Sequence, residues 1–403
     1  MFNSIAYNDI FLLLFFLTYY DKMNYNRDAM KSSTKNIHVG VHQSDPVFGS
    51  VVPPIYLTST YQFPSVREGA LRFAGKSKGM VYSRFTNPTV AALEARLAAL
   101  EGGEMALATS SGMAAITLTF LHFLKTGDSI VAHPVLYGGT CEFLFHMAKR
   151  YGIDVRSVDF QDPQKVEAAV DRTTKLIYFE SPTNPLLEII DIKKITAVAK
   201  KHKVITVFDN TFAPPPLQFP IKMGVDIVIH SLTKYIGGHS DLIGGAIIGS
   251  KKLLEPLFAH SYIFFGPTMS PFTAYLALRG LTTLEVRVKK ETETAQKIVK
   301  YLKNNPKVSK VNYPGFGGVL SFDLKDGYIA GEKLANSVKV ITLAVSLGGV
   351  ESLIEHPASM THSELTLEER KNSGINDGLI RISVGLEDED DLIADLKQAF
   401  AAI

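Results

Sequence analysis

Asp226-Ile-Val-Ile-His-Ser231-Leu-Thr233-Lys234-Tyr235 is the stretch whose reading decides the fold. Ile227 to Ile229 reads as a short buried strand that runs out into a polar turn. A lysine sits on that turn, with the hydroxyls of Ser231 and Thr233 just before it. A free lysine has a pKa of about 10.4 and is a poor nucleophile at neutral pH. In a desolvated pocket it can form a Schiff base with a carbonyl. The two hydroxyls are placed to hydrogen-bond an anion such as a phosphate. The plain alternative is a surface lysine after a strand, with two capping hydroxyls.

Outward from that strand the pattern alternates. Short apolar strands are predicted at Met105–Ala108, Ser129–Ala132, Asp154–Val158, Lys175–Phe179, Val204–Phe208, Asp226–Ile229 and Gly245–Ile248. Amphipathic helices such as Ala114–Leu124, Thr140–Arg150 and Ile192–Lys203 lie between them. This predicts an α/β fold with a large, mainly parallel sheet and helices on both faces. Ligands of such sheets bind beyond the carboxyl ends of the strands. Ser110-Ser111, Tyr137, Glu180, Asn184, Asp209 and Lys234 all follow predicted strand ends.

A long helix near Leu284–Leu302 leads towards a smaller α+β domain, with strands at Val319–Leu324, Ile341–Val345 and Leu379–Val384 and a last helix from Asp390. On the other side, residues 31–86 are rich in Ser, Thr, Pro, Gly and Tyr, and Pro53-Pro54 and Pro64 favour extended chain. Regular structure is expected to start at Asn87-Pro88, an N-cap followed by proline at the first helical position. Leu93, Leu97 and Leu100 continue that helix, and Gly102-Gly103 ends it. The organisation read from this is an N-terminal extension (1–30), an extended arm (31–86), a large domain (87–285) and a C-terminal domain (286–403).

With 403 residues, 46% of them hydrophobic, the chain can bury a sizeable core. A net charge of +2 is too balanced for a nucleic-acid surface. The runs Lys200-Lys201-His202-Lys203 and Glu387-Asp388-Glu389-Asp390-Asp391 suit a helix C-terminus and a helix N-terminus. A lone cysteine, Cys141, excludes an intrachain disulfide and a cysteine-rich metal site, and fits a reducing cytoplasm. The apolar run Ile10–Leu17 is shorter than the ~20 residues of a membrane span. No Lys or Arg precedes it, so it reads as an extended start and not as an anchor or signal peptide. His230, His239, His356 and His362 lack metal-ligand spacing and read as turn caps; no metal is expected.

Single residues carry further chemistry. Ser110-Ser111-Gly112-Met113-Ala114 is a strand-to-helix turn, hence either an anion site or an ordinary helix start. Asp209 places a carboxylate at the end of a buried strand, where it needs a partner. A protonated pyridine nitrogen would serve, and would make that ring an electron sink; a helix cap or a core ion pair is the alternative. Tyr137 is either a packing aromatic or a ring that stacks on a flat cofactor. Arg381 is a charge inside an apolar strand, suited to a substrate carboxylate or to a structural salt bridge.

Several motifs occur in order: Tyr82-Ser-Arg84-Phe-Thr-Asn-Pro-Thr, Ser111-Gly112-Met113, Tyr137-Gly-Gly-Thr, Glu180-Ser-Pro-Thr-Asn184-Pro and Asp209-Asn-Thr. Ser231-Leu-Thr233-Lys234-Tyr, Ser346-Leu-Gly-Gly, His356-Pro-Ala-Ser-Met-Thr-His362 and Arg381-Ile-Ser-Val-Gly-Leu follow. From near Ile37 to its C-terminus the chain resembles the Cys/Met-metabolism (trans-sulfuration) enzymes that depend on pyridoxal 5′-phosphate (PLP). These include cystathionine γ-synthase, cystathionine γ-lyase, cystathionine β-lyase and methionine γ-lyase.

The resemblance implies the PLP-dependent transferase fold (fold type I) and a role for each matched residue. Lys234 would hold PLP and then move protons at the substrate's Cα and Cβ. Gly112, Met113, Ser231 and Thr233 would bind the phosphate, with Tyr82 and Arg84 reaching it from a neighbouring subunit. Asp209 would pair with the pyridine nitrogen, Tyr137 would stack on the ring and help proton traffic at the leaving group, and Asn184 would sit near the phenolic oxygen. Arg381, assisted by Ser346, would hold the carboxylate of a small amino-acid substrate. A cytoplasmic homotetramer built from dimers with shared active sites is implied, with neither nucleic acid nor membrane as partner.

The implied reaction makes or breaks a C–S bond at Cγ. Cystathionine or an activated homoserine ranks first as substrate, methionine next and β-lyase chemistry third. Two positions pull apart. Methionine γ-lyases typically have cysteine where Gly139 stands, and a Lys-Asp pair near Tyr262–Phe264. Cystathionine γ-synthases and γ-lyases usually have glutamate, able to meet cystathionine's distal amino group, where Val345 stands. Relatives also have a longer loop between Tyr313-Pro-Gly315 and Phe316-Gly-Gly-Val.

Overall fold

A computed structural model describes residues 30–40, 49–361, 363 and 374–403. The apolar run Ile10–Leu17 and His362 lie outside the described residues. Regular structure begins earlier than expected, with helices α1 (Ser32–His38) and α2 (Val66–Phe73). Local polar bonds account for α2. Ser65 caps it by accepting the Glu68 N–H at 3.1 Å, and Arg72 pairs with Glu68 one turn on at 3.1 Å. Across α2, an antiparallel bridge joins Thr60 before the helix to Tyr82 after it.

Helix α3 (Pro88–Glu101) follows the expected plan. The Asn87 side chain accepts the Thr89 N–H at 3.0 Å, and Gly102 closes the helix at φ 81°. Arg96 is buried on it and donates to the carbonyls of Val39 (2.8 Å), Leu278 (3.2 Å) and Ile37 (3.3 Å). That guanidinium ties the α1 end to the core.

The large sheet has seven strands: β1 (Met105–Thr109), β2 (Ser129–Ala132), β3 (Asp154–Ser157), β4 (Thr174–Glu180), β5 (Ile205–Asp209), β6 (Ile227–Ser231) and β7 (Gly245–Gly249). Their order is β1-β7-β6-β5-β4-β2-β3, and only β7 runs antiparallel to its neighbours. α4 (Gly112–Phe123) packs on one face. α3, α5 (Ile192–His202) and α6 (Pro271–Leu281) pack on the other. Strand residues alternate between the two cores: Val207, Ile227 and Ile229 face α4, and Phe208 and Val228 face α3. The helix expected at Thr140–Arg150 is broken instead. A helical turn (Gly138–Glu142) widens into a π turn (Phe143–Met147) and tightens into a 3₁₀ turn (Ala148–Tyr151).

α7 (Leu284–Lys303) leads to a second, smaller sheet. Its strands are β8 (Val308–Asn312), β9 (Val319–Leu324), β10 (Thr342–Leu343), β11 (Leu353–Glu355) and β12 (Leu379–Ser383), in the order β10-β11-β12-β9-β8. α7, α8 (Gly327–Ser337) and α9 (Glu389–Ala401) cover it around Leu320, Phe322, Leu334, Ile380 and Leu396. β8 and β11 were not expected: β8 is half-exposed and polar, and β11 is too short to show a period. β10 is shorter than Ile341–Val345; Ala344 N–H makes a last bond to the Ile354 carbonyl at 3.1 Å, and Ser346 then reaches the site. Among the described residues no helix is long and apolar enough to cross a membrane.

Candidate active site

Lys234 follows β6 on a turn closed by three backbone bonds: Leu232 N–H to Gly244 C=O (2.9 Å), Gly237 N–H to Leu232 C=O (2.7 Å) and Gly238 N–H to Lys234 C=O (2.8 Å). Its ammonium donates to Ser346 Oγ at 2.7 Å. Burial lowers its pKa to about 8; the Arg381 charge acts the same way and Glu355 opposes. About a tenth of such lysines carry a free amine at pH 7, against roughly a few in ten thousand for an unperturbed one.

The start of α4 faces this turn. Ser111 Oγ accepts the Ala114 N–H at 3.0 Å. The Gly112 and Met113 N–H groups, at the first helical positions, have no intrahelical partner. A Cβ on Gly112 would stand 2.9 Å from Ser231 Cβ, so only glycine lets the helix end approach β6 this closely. Ser231 Oγ lies there without a hydrogen bond to another described residue, and Thr233 Oγ1 accepts the Gly244 N–H at 3.1 Å. Two N–H groups, two hydroxyls and a helix N-terminus make a cradle that fits a phosphate.

On the adjoining strand ends two carboxylates stand side by side, Glu180 on β4 and Asp209 on β5. Asp209 accepts the Thr211 N–H at 2.9 Å and the Tyr178 hydroxyl at 3.5 Å. Burial pushes its pKa up. Glu180 is pushed up to about 8, by burial first and by Asp209 next. Its Oε2 accepts the Tyr137 N–H and its Oε1 the Asn184 N–H, both at 3.2 Å. Tyr137 is 47% exposed. A Cβ on Gly139 would meet its ring at 2.7 Å and the Met113 sulfur at 3.0 Å.

The small sheet contributes Arg381, which is 4% exposed. β12 pairs with β11 so that Arg381 lies opposite Glu355, and its Nε meets Glu355 Oε1 at 3.1 Å. Nη1 donates to Asn184 Oδ1 at 2.8 Å, and Nη2 to the Ser346 carbonyl at 3.0 Å. A guanidinium has five N–H donors. Each terminal nitrogen donates once, which leaves one further N–H on each for the two oxygens of a carboxylate. Burial raises the Glu355 pKa, and Arg381 holds it back. Ser346 sits at φ 120°, an uncommon value for a residue with a side chain. From that position its hydroxyl faces Lys234 and its carbonyl faces Arg381.

Lys234, Ser346, Arg381 and Asn184 thus form one bonded cluster, and Tyr137 joins it through Glu180. Tyr82 and Arg84 do not join it. Arg84 donates to the Ile263 carbonyl at 2.5 Å and lies 5.0 Å from the Phe85 ring centre. His230 is no turn cap: it is buried and meets Glu101 Oε1 at 2.5 Å. His239 and His356 do bond within turns, to the Gly237 carbonyl and to Ser359 Oγ. Among the described residues no His, Cys, Asp and Glu grouping is arranged to hold a metal ion. Glu355 carried no signal in the sequence, since a cross-strand partner is set by register and not by spacing.

Residues 33–401 match the family model described as Cys/Met metabolism PLP-dependent enzyme. The chain is 43% identical over 387 residues to L-methionine gamma-lyase of Pseudomonas putida, covering 92% of this chain and 97% of that one. It is similar in structure to cystathionine gamma-lyase of Lactobacillus plantarum complexed with L-serine (TM-score 0.87, 40% identity, 93% of this chain and 99% of that chain). A putative O-acetylhomoserine (thiol)-lyase of Campylobacter jejuni, with N′-pyridoxyl-lysine-5′-monophosphate, gives a TM-score of 0.87 at 35% identity, over 92% of this chain and 100% of that chain.

Proposed function

We propose that this chain, which belongs to the Cys/Met metabolism PLP-dependent enzymes, uses Lys234 to hold its cofactor and Arg381 to hold an amino-acid substrate. The protein is an enzyme of the trans-sulfuration type with fold type I, and its cofactor is pyridoxal 5′-phosphate. The observation that carries the assignment of residues is the Lys234–Ser346–Arg381 cluster: a lysine of lowered pKa bonded to a serine whose carbonyl holds a buried guanidinium.

Bound PLP supplies an electron sink for negative charge at a substrate's Cα. The residues supply the rest. Gly112, Met113, Ser231 and Thr233 would hold the phosphate. Asp209, buried beside a second carboxylate, would pair with the ring nitrogen. Tyr137 would cover the ring, and Asn184 would lie near the phenolic oxygen. Arg381 would receive the substrate carboxylate. Lys234 would serve as the base that moves protons at Cα and at Cβ as the γ-substituent leaves.

The substrate is a sulfur amino acid cleaved at Cγ. Val345 supports methionine as the first to test: next to Ser346, it is 53% exposed and offers a thioether methyl an apolar contact without charge. The likeness to the Pseudomonas putida lyase supports the same choice. Gly139 favours the second reading, cystathionine or an activated homoserine, since it stands where methionine γ-lyases typically carry a cysteine. Methionine, cystathionine, and O-acyl-homoserine with cysteine should be offered separately, and 2-oxobutyrate, cystathionine and thiols measured. 2-Oxobutyrate with methanethiol from methionine, at the highest kcat/KM, is expected. Pyruvate from cystathionine without 2-oxobutyrate would move the reaction to Cβ.

The enzyme acts in the cytoplasm as a homotetramer built from dimers, in which Tyr82 and Arg84 serve a neighbour's phosphate. The exposure of Tyr82, Leu57, Phe264 and Phe265 supports a covered face.

A further inference from the structure

Glu180 takes no part in the reaction proposed above, yet it is the side chain on which two loops of the site converge. The Tyr137 turn follows β2 and the Asn184 turn follows β4. One buried carboxylate accepts a backbone N–H from each at 3.2 Å, one per oxygen. Asn184 passes the connection on, because its Oδ1 accepts Arg381 Nη1 at 2.8 Å. The ring that would cover the cofactor and the guanidinium that would hold the substrate are therefore linked through Glu180.

We propose that Glu180 is a positioning residue, a clamp that fixes the Tyr137 turn and the Asn184 turn relative to each other and so sets the cofactor ring against the Arg381 guanidinium. The inference rests on the PLP reading of the site.

Tyr137 needs such a hold. The residue is about half exposed, so packing alone does not fix it. Its carbonyl is engaged by the Thr140 and Cys141 N–H groups, at 2.9 and 3.0 Å, which steer the helical turn that follows. Its own N–H points the other way, to Glu180. Only a carboxyl group of this length serves both turns. Aspartate is one methylene short, and glutamine would turn an NH₂ towards one of two N–H donors. Around Glu180 stand Asp209 in register, Tyr178 and Cys141.

Three holoenzymes decide it: wild type, Glu180→Gln and Glu180→Ala. Covalent cofactor content is read by borohydride reduction, ring orientation by visible circular dichroism per bound cofactor, and kcat and KM by the product assay. Losing one buried bond should cost roughly tenfold in kcat/KM, mostly through KM, and losing both roughly a hundredfold. Circular dichroism per cofactor should fall in the same order, with Glu180→Gln between wild type and Glu180→Ala. Both variants staying within twofold of wild type in circular dichroism and KM overturns the clamp. Should the variants fail to fold, amide exchange in wild-type holoenzyme decides. The Tyr137 and Asn184 N–H groups should exchange about a hundredfold more slowly than the N–H of Gly138; equal rates overturn the clamp. A wild-type enzyme without reducible cofactor on Lys234 would instead overturn the reading on which the clamp rests.

Discussion

Lys234 and Arg381 reach the same cluster by opposite routes. Lys234, Asp209 and Glu180 lie where parallel strands of the large sheet stop. There the backbone leaves the ladder, and its N–H groups become available to ligands and to side chains. Arg381 and Glu355 lie within an antiparallel pair of the small sheet, opposite each other. The ladder fixes their direction, but both charges lose water, and each depends on the other. The strand ends offer reactive groups with altered protonation, and the strand interior offers an anchor whose orientation is set in advance.

The comparison breaks most completely at Lys234. Lys234→Ala should abolish turnover and the covalently held cofactor, while the melting temperature holds, because a buried cation disappears. Borohydride reduction and peptide mapping check this; label on another lysine would unseat the assignment.

Arg381→Ala should do two things at once. KM should rise by an amount equivalent to about 2–5 kcal/mol for a lost desolvated contact. Stability should fall by about 3–5 kcal/mol, because Glu355 is left buried and unpaired. Adding Glu355→Gln should restore most of the stability and none of the KM. A normal KM with a lowered melting temperature would make the anchor a structural ion pair.

A third region, the segment carrying Tyr82 and Arg84, belongs to neither route. Arg84→Ala and Lys234→Ala proteins should each be nearly inactive. Mixing them makes about half of all dimers mixed, each with one intact site, so activity should recover to roughly a quarter of wild type. Proven subunit exchange without recovery would place the segment in its own subunit's site.

A smaller effect sharpens the electrostatic side. The rate at which cofactor-free protein takes up PLP should rise with pH through a midpoint near about 8, where half of Lys234 has lost its proton, to a plateau above it. Glu355 holds that value up, so Glu355→Gln should move the plateau to lower pH. Arg381→Ala should move it to higher pH. Stopped-flow absorbance measures both shifts, and an unmoved plateau would separate the two regions electrically.

The smallest change belongs to the exposed neighbour of Ser346. Val345→Glu should favour cystathionine over methionine only a few-fold, since a solvent-exposed ion pair contributes about 0.2–1 kcal/mol. An unchanged ratio of kcat/KM for the two substrates would remove Val345 as a selector.

The two routes also differ in how far they can be read from the sequence. The strand ends are legible because a parallel strand is an apolar run and the polar residue that stops it stands next in the chain. Asp209, Glu180 and Lys234 announce themselves in this way. Arg381 is legible as a charge among isoleucines. Its partner is not, because β11 has three residues and the register that sets Glu355 opposite Arg381 is fixed by contacts distant in sequence. Helices α1 and α2 were obscured by composition, although Ser65 and Glu68 form a local capping signal. The π turn at Phe143–Met147 keeps a helical apolar pattern, so periodicity alone could not expose it.

The backbone of Ser346 has a consequence for anyone who would retrain this enzyme on another substrate. At φ 120° glycine would be the relaxed choice, so selection for heat resistance alone would be drawn to Ser346→Gly. Such a library would reward the loss of the hydroxyl that Lys234 meets. Diversity is better spent at Val345, whose side chain stands half in solvent, with its neighbour held constant.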